Sequence, residues 1–203
     1  MKHSKKEKDV SRKLSLGESL LLYVHDLAYL IAIMMILFLF IFRVVIVSGD
    51  SMNDTLIDGD YLLLLSNAFY SEPEAGDIVV ASKDSFENGV PIVKRVIAVE
   101  GQTVDVDFST NEIYIDGKLL DEPYIKQDLA YIYSGERVSF PLTVEKGKIF
   151  VLGDNRRVSL DSRNTQVGLI DKREVLGKAI VLFLPGTDGG MANRNFDRIG
   201  VMP

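Results

Sequence analysis

The chain has 203 residues, no cysteine and a formal net charge of −6. Without cysteine there is no disulfide framework, no thiol nucleophile and no thiolate metal site. The two histidines, His3 and His25, lie at or before the start of a long apolar run, so catalysis further along the chain has to work without imidazole.

The charge is unevenly spread. Residues 1–20 hold six basic residues against three acidic, whereas from Val44 onward 16 Lys and Arg stand against 25 Asp and Glu. An acidic domain with no basic patch argues against nucleic-acid binding. Leu27 to Phe42 is unbroken apolar sequence, and after Arg43 it resumes through Val44-Val45-Ile46-Val47. As one helix these residues would span roughly 31 Å, close to the hydrocarbon thickness of a bilayer. A core helix rarely runs so long without polar residues, and a cleaved signal peptide would end in a small-x-small site where this run ends in Arg43 and valines. The expectation is a cytoplasmic basic tail over 1–20, a retained transmembrane anchor over 21–47 and an extracytoplasmic domain over 48–203, oriented by the positive-inside rule.

Beyond the anchor the signals are those of strands, at Tyr61–Leu65, Ile78–Ala81, Ile92–Val99, Thr103–Asp107, Glu112–Ile115, Ile149–Leu152 and Ala179–Leu184. Asp58-Gly59-Asp60, Ala75-Gly76-Asp77 and Asp116-Gly117-Lys118 mark turns between them. The fold class is therefore mostly β. Thr103 to Leu120 alternates like a half-exposed hairpin, so about 100–148 is expected as a more polar β insertion between two core strand regions. Residues 186–203, with Gly and Asn, read as an irregular end.

Three segments carry chemistry. Ser48-Gly49-Asp50-Ser51-Met52-Asn53-Asp54-Thr55-Leu56 puts a serine in a glycine-containing turn after the apolar run, a pattern that ordinary turns share. Pro91-Ile92-Val93-Lys94-Arg95-Val96-Ile97-Ala98-Val99 puts a lysine inside an apolar strand, where an ammonium is costly unless it snorkels, pairs with a carboxylate or serves catalysis. Gly153-Asp154-Asn155-Arg156-Arg157-Val158-Ser159-Leu160-Asp161-Ser162-Arg163 is a dense polar cluster after a core strand, as a site or a solvated turn would be. A serine nucleophile needs a base, and without a downstream histidine that base is a lysine or a carboxylate. A lysine with an ordinary pKa of ~10.4 must be lowered by roughly 3 units to act near neutrality, and burial among Ile92, Val93, Val96 and Ile97 acts in that direction. Arg95 is expected on the opposite face of the strand.

In this order, behind an N-terminal anchor, the segments resemble the serine, lysine and Gly-Asp-Asn-Arg-x-x-Ser-x-Asp-Ser-Arg boxes of bacterial type I signal peptidases, in their compact Gram-positive form. The likeness runs from the anchor to about Leu184. It implies a β-barrel-like serine–lysine endopeptidase, with no cofactor and no metal, that removes signal peptides from exported preproteins. Its partners would be those preproteins, membrane lipid and the protein export machinery. Carried onto this chain, it makes Ser51 the nucleophile and Lys94 the general base. Ser159 would hold the Lys94 amine by a hydrogen bond, Asp161 and Arg163 would form a supporting ion pair, and Asp154 and Arg95 would be structural supports. The Ser51 backbone amide would bind the oxyanion. Gly49 stands where some relatives have a second, hydroxyl donor, and Asp54 stands where the usual pattern has proline. Substrate would bind as an extended strand, with Val47 and Val93 as candidate pocket walls; Met52 is a third candidate, for which a core-filling role is equally open. A self-cleaving repressor-type protease shares the serine–lysine chemistry, but an anchor and the lack of a DNA-binding domain argue against it. A non-catalytic binding module would be expected to have lost Ser51 or Lys94.

Overall fold

The computed structural model describes residues 16–125, 136–187 and 194–202. The chain divides after Phe40 into two compact units. The first is dominated by helix α1, Leu16–Ile41, whose side chains are all outside any core. Its 26 residues, rich in Leu, Ile, Met and Phe, rise about 39 Å, and it is long and apolar enough to cross a membrane. The helix starts earlier and stops earlier than the apolar run suggested. Phe42–Ile46, expected as the end of a spanning helix, forms strand β1 instead. The run Val44-Val45-Ile46 is β-branched, which stiffens χ1 and favours the pleated conformation.

The second unit is a mostly β domain of two antiparallel sheets. Strands β2 (Tyr61–Ser66), β3 (Ile78–Ala81), β4 (Ile92–Val99), β9 (Lys148–Leu152), β10 (Ile170–Asp171), β11 (Val175–Leu184) and β12 (Gly200–Val201) join β1 in the larger, curled sheet. Its order is β1-β2-β11-β3-β4-β9-β10, with β12 added on β11. Between β4 and β9 the chain makes a smaller sheet from β5 (Thr103–Asp107), β6 (Glu112–Ile115), β7 (Lys118–Leu119) and β8 (Leu142–Thr143), in the order β7-β6-β5-β8.

Burial follows the strand periodicity. In β2, Leu62 and Leu64 enter one core with Val47, Met52, Leu56 and Ile78, while Tyr61, Leu63 and Leu65 stay half-exposed. The smaller sheet packs Val104, Val106 and Ile113 against Ile97, Ala98, Phe150 and Leu152 of β4 and β9. Lys94 to Ala98 of β4 are all buried, a setting with little room for adjustment. Of the end expected to be irregular, 188–193 and 203 lie outside the described residues, and within 194–202 Gly200–Val201 joins the sheet. A 3₁₀ turn at Phe196–Arg198 leads into β12, which pairs Val201 with Val181, and Met202 packs on the core around Met52 and Leu56.

Candidate active site

Ser51 lies in the turn that joins β1 to β2. The ends of that turn are closed by backbone bonds, the Val47 amide donating to the Asp60 carbonyl at 2.8 Å and the Gly59 amide to the Val47 carbonyl at 2.9 Å. Gly49 has a φ of +84°, the left-handed region that glycine enters without strain. Its amide donates to Asp58 Oδ1 at 2.7 Å. Among the described residues the Ser51 amide meets no acceptor. Met52 and Leu56 pin the turn from beneath, and the Leu56 amide donates to the Met52 carbonyl at 2.9 Å.

Lys94 projects from the middle of β4, opposite Val79 of β3 in the ladder. It is 4% exposed. Its Nζ donates to Ser51 Oγ at 2.8 Å and to the carbonyl of Val93 at 3.0 Å. The two residues singled out 43 positions apart in the chain are therefore in direct contact.

The loop after β9 surrounds this pair. Gly153 has no room for a side chain, because a Cβ there would lie 2.4 Å from the Ser51 carbonyl oxygen and 2.2 Å from Ser159 Oγ. Asn155 holds the Ser51 turn directly: its amide donates to the Ser51 carbonyl at 3.0 Å and its Nδ2 to the Asp50 carbonyl at 3.0 Å. Arg95 places Nε and Nη2 on the two oxygens of Asp154, at 2.9 and 2.7 Å, and both side chains are buried. Asp154 Oδ2 also accepts from Thr55 Oγ1 at 2.6 Å, tying the strand beside Lys94 to the turn that carries Ser51. Asp161 pairs with Arg163 at 2.8 and 2.9 Å and accepts from the Gly153 amide at 3.1 Å. Burial alone would raise the Asp161 pKa, but the charge and hydrogen bonds of Arg163 outweigh it and hold the carboxyl below its ordinary range.

Ser159 and Met52 make contacts of a different kind. The Ser159 hydroxyl is buried beside Asp161. Met52 does not line the cleft. Its side chain is consumed by the core with Val47 and Leu56, as its flexible thioether suits.

A cleft of about 490 Å³ opens beside the pair, and Val47 and Val93 line it with Ser48, Phe86, Val90 and Val158. Phe86 and Val90 come from the β3–β4 loop, which carries no motif. Other contacts were equally hidden from the sequence. Arg156 donates from Nε to the Gly153 carbonyl at 3.0 Å and forks onto Glu122, a residue of the segment between β7 and β8. Tyr124 lies under the Arg95 guanidinium, 4.0 Å from ring centroid to carbon, and donates to Glu122. Burial first, and the charge of Glu122 second, raise the Tyr124 pKa.

Comparison with known proteins gives this arrangement a family. The model of the family described as "Signal peptidase, peptidase S26" matches residues 20–184. The class is thus that of the serine peptidases, which are hydrolases. Within it, the chain belongs to the signal peptidase family. Signal peptidase I of Bacillus licheniformis is 37% identical over 187 residues, covering 88% of this chain and 94% of the relative. Signal peptidase I S of Bacillus subtilis is 34% identical, with 89% and 95% covered. Signal peptidase IB of Staphylococcus aureus is 32% identical, with 83% and 91% covered. A crystal structure of a signal peptidase I from Enterococcus faecalis is 32% identical, covering 53% of this chain and 96% of that one at a TM-score of 0.42.

Proposed function

We propose that this peptidase cleaves signal peptides from exported preproteins by a serine–lysine mechanism, with Ser51 as nucleophile and Lys94 as general base. The observation that carries the proposal is the 2.8 Å contact between Lys94 Nζ and Ser51 Oγ. That is within reach for proton transfer, and burial disfavours the ammonium form of Lys94. With the amine uncharged, the contact reverses and the hydroxyl donates to Nζ. As Oγ bonds to the scissile carbonyl carbon, its proton passes to Lys94 and the carbonyl oxygen gains charge beside the Ser51 amide. The ammonium then protonates the leaving amine as the C–N bond breaks. Water, deprotonated by the same lysine, hydrolyses the acyl-enzyme and restores Ser51.

Asp154 with Arg95 and Asp161 with Arg163 support the scaffold, and Ser159 fills the space beside Gly153. The substrate strand would lie in the cleft against Val47 and Val93. Helix α1 serves as a single-pass membrane anchor. The basic N-terminal residues put that end in the cytoplasm and the peptidase domain outside. Tethering to the lipid surface that also holds the preprotein raises the effective concentration of substrate and brings the enzyme into the company of the export machinery.

The test uses full-length protein in detergent and a preprotein with Ala-x-Ala before the cut. Ser51→Ala and Lys94→Arg are each expected to fold and to lose at least about a thousandfold in kcat/KM, since arginine does not deprotonate at working pH. Wild-type kcat/KM is expected to rise along its acidic limb with a single deprotonation. Near-normal cleavage by either variant removes that residue from the mechanism.

A further inference from the structure

The matched family model stops at residue 184, yet the segment beyond it reaches back to the turn that carries Ser51. Asp60 is fully buried at the end of that turn. Its Oδ1 accepts from the Gly186 amide at 2.6 Å and its Oδ2 from the Ile57 amide at 2.8 Å. Arg198 forks onto the same carboxylate, Nη1 to Oδ1 at 2.8 Å and Nη2 to Oδ2 at 2.7 Å. Nη2 also donates to the Thr55 carbonyl at 3.3 Å. Thr55 is the residue whose hydroxyl reaches Asp154 on the other side of the turn.

We propose that Arg198 is a positioning residue, which through Asp60 and the Thr55 carbonyl holds the turn so that Ser51 stays in line with Lys94. The proposal rests on Ser51 being the nucleophile. A buried carboxylate keeps its charge only with a counter-ion and enough donors. Two amides leave Asp60 short of both. Without Arg198, residues 55–60 must shift to admit water, and the shift passes to Ser51 through the Met52–Leu56 backbone bond. Thr55 is held at both ends, by Arg198 on its carbonyl and Asp154 on its hydroxyl, so the turn is clamped between the C-terminal segment and the loop after β9. Displacements of about 1 Å at a reacting group are enough to cost large factors in rate.

The experiment compares full-length Arg198→Ala, Arg198→Lys and Asp197→Ala with wild type and Ser51→Ala, each assayed well below its own Tm. It reads kcat and KM for preprotein cleavage and the rate at which a small organophosphonate labels Ser51. Arg198→Ala is expected to lose about tenfold or more in kcat, with labelling slowed in parallel and KM changed less than about twofold. Arg198→Lys, which keeps the charge but loses the fork, falls between, and Asp197→Ala matches wild type. Wild-type kcat in folded Arg198→Ala overturns the proposal, as does a loss that tracks only the unfolded fraction. Should the alanine variant fail to fold, wild-type kcat and labelling in Arg198→Lys overturn it instead. An active Ser51→Ala would sink the nucleophile assignment and be distinguishable from either result.

Discussion

Lys94 and Ser51 are neighbours in space held by different means. Lys94 sits in a strand bonded to β3 on one side and β9 on the other, buried from Lys94 to Ala98. Its place is set by backbone ladders, which no single side chain can undo. Ser51 belongs to a turn held by scattered side chains drawn from the loop after β9, from Asp58 and Asp60, and from the C-terminal segment. Lys94 is placed by the fold, and Ser51 by tethers that can be cut one at a time. Substitutions near Lys94 are therefore expected to act through stability, whereas substitutions around the turn act on rate in proportion to the tether removed.

The tether shared by both regions predicts the largest effect. Asp154→Ala deletes the partner of buried Arg95 and the acceptor of Thr55 together. Breaking a buried pair from one side costs about 3–5 kcal/mol, which for a domain of this size lowers Tm by roughly 10 °C. The measurement is thermal unfolding in detergent alongside kcat. A change of Tm within a degree or two would mean that Arg95 finds another acceptor and that the strand and the turn are not joined through this carboxylate.

Asp161 offers a smaller and pH-dependent break. Its folded pKa lies below the ordinary value because Arg163 outweighs burial. A depressed carboxyl stabilises the fold fully above the unfolded pKa of ~3.9 and loses that contribution as pH falls through the lower folded value. Wild type is thus expected to lose stability in that acid window. Asp161→Asn is expected to be less stable at neutral pH and to show a shallower acid slope. An identical slope in the two proteins would assign the acid sensitivity to other carboxylates.

Much of this contrast was legible in the sequence, for a physical reason. Lys94 stands out because an ammonium in an apolar strand is anomalous, and the box from Gly153 to Arg163 stands out because its polar residues are fixed by mutual contacts such as Gly153 under Ser51 and Asp161 on Arg163. Apolar runs between turn signals located β2, β3 and β4, and alternation located β5 and β6. Phe42–Ile46 was misread because continuous apolarity fits helix and strand alike, and the β-branched signal was outweighed by the length of the run. The roles of Glu122, Tyr124 and Arg198 had no signal at all. Each is a charged or aromatic residue in a segment without periodicity, and for Glu122 and Arg198 the partner lies far along the chain, 34 residues for Glu122 and Arg156 and 138 for Asp60 and Arg198.

The finest test of the difference between strand and turn is Thr55→Val, which removes one hydroxyl and keeps the branched shape. Asp154 retains its fork from Arg95, so no buried charge is left without a partner. The cost is that of one hydrogen bond to a carboxylate, on the order of 1–2 kcal/mol. If the turn is placed by its tethers, kcat should fall severalfold while KM stays near wild type, because the cleft proposed for substrate does not include Thr55. Combining Thr55→Val with Arg198→Ala sharpens the point. Both changes loosen the same residue from opposite ends, so their effects on kcat should fail to add, whereas their effects through two independent sites would. Additive losses would place Arg198 and Asp154 in separate networks. A Thr55→Val variant with unchanged kcat would show that Asn155 and the buried side chains of Met52 and Leu56 suffice to hold Ser51 against Lys94.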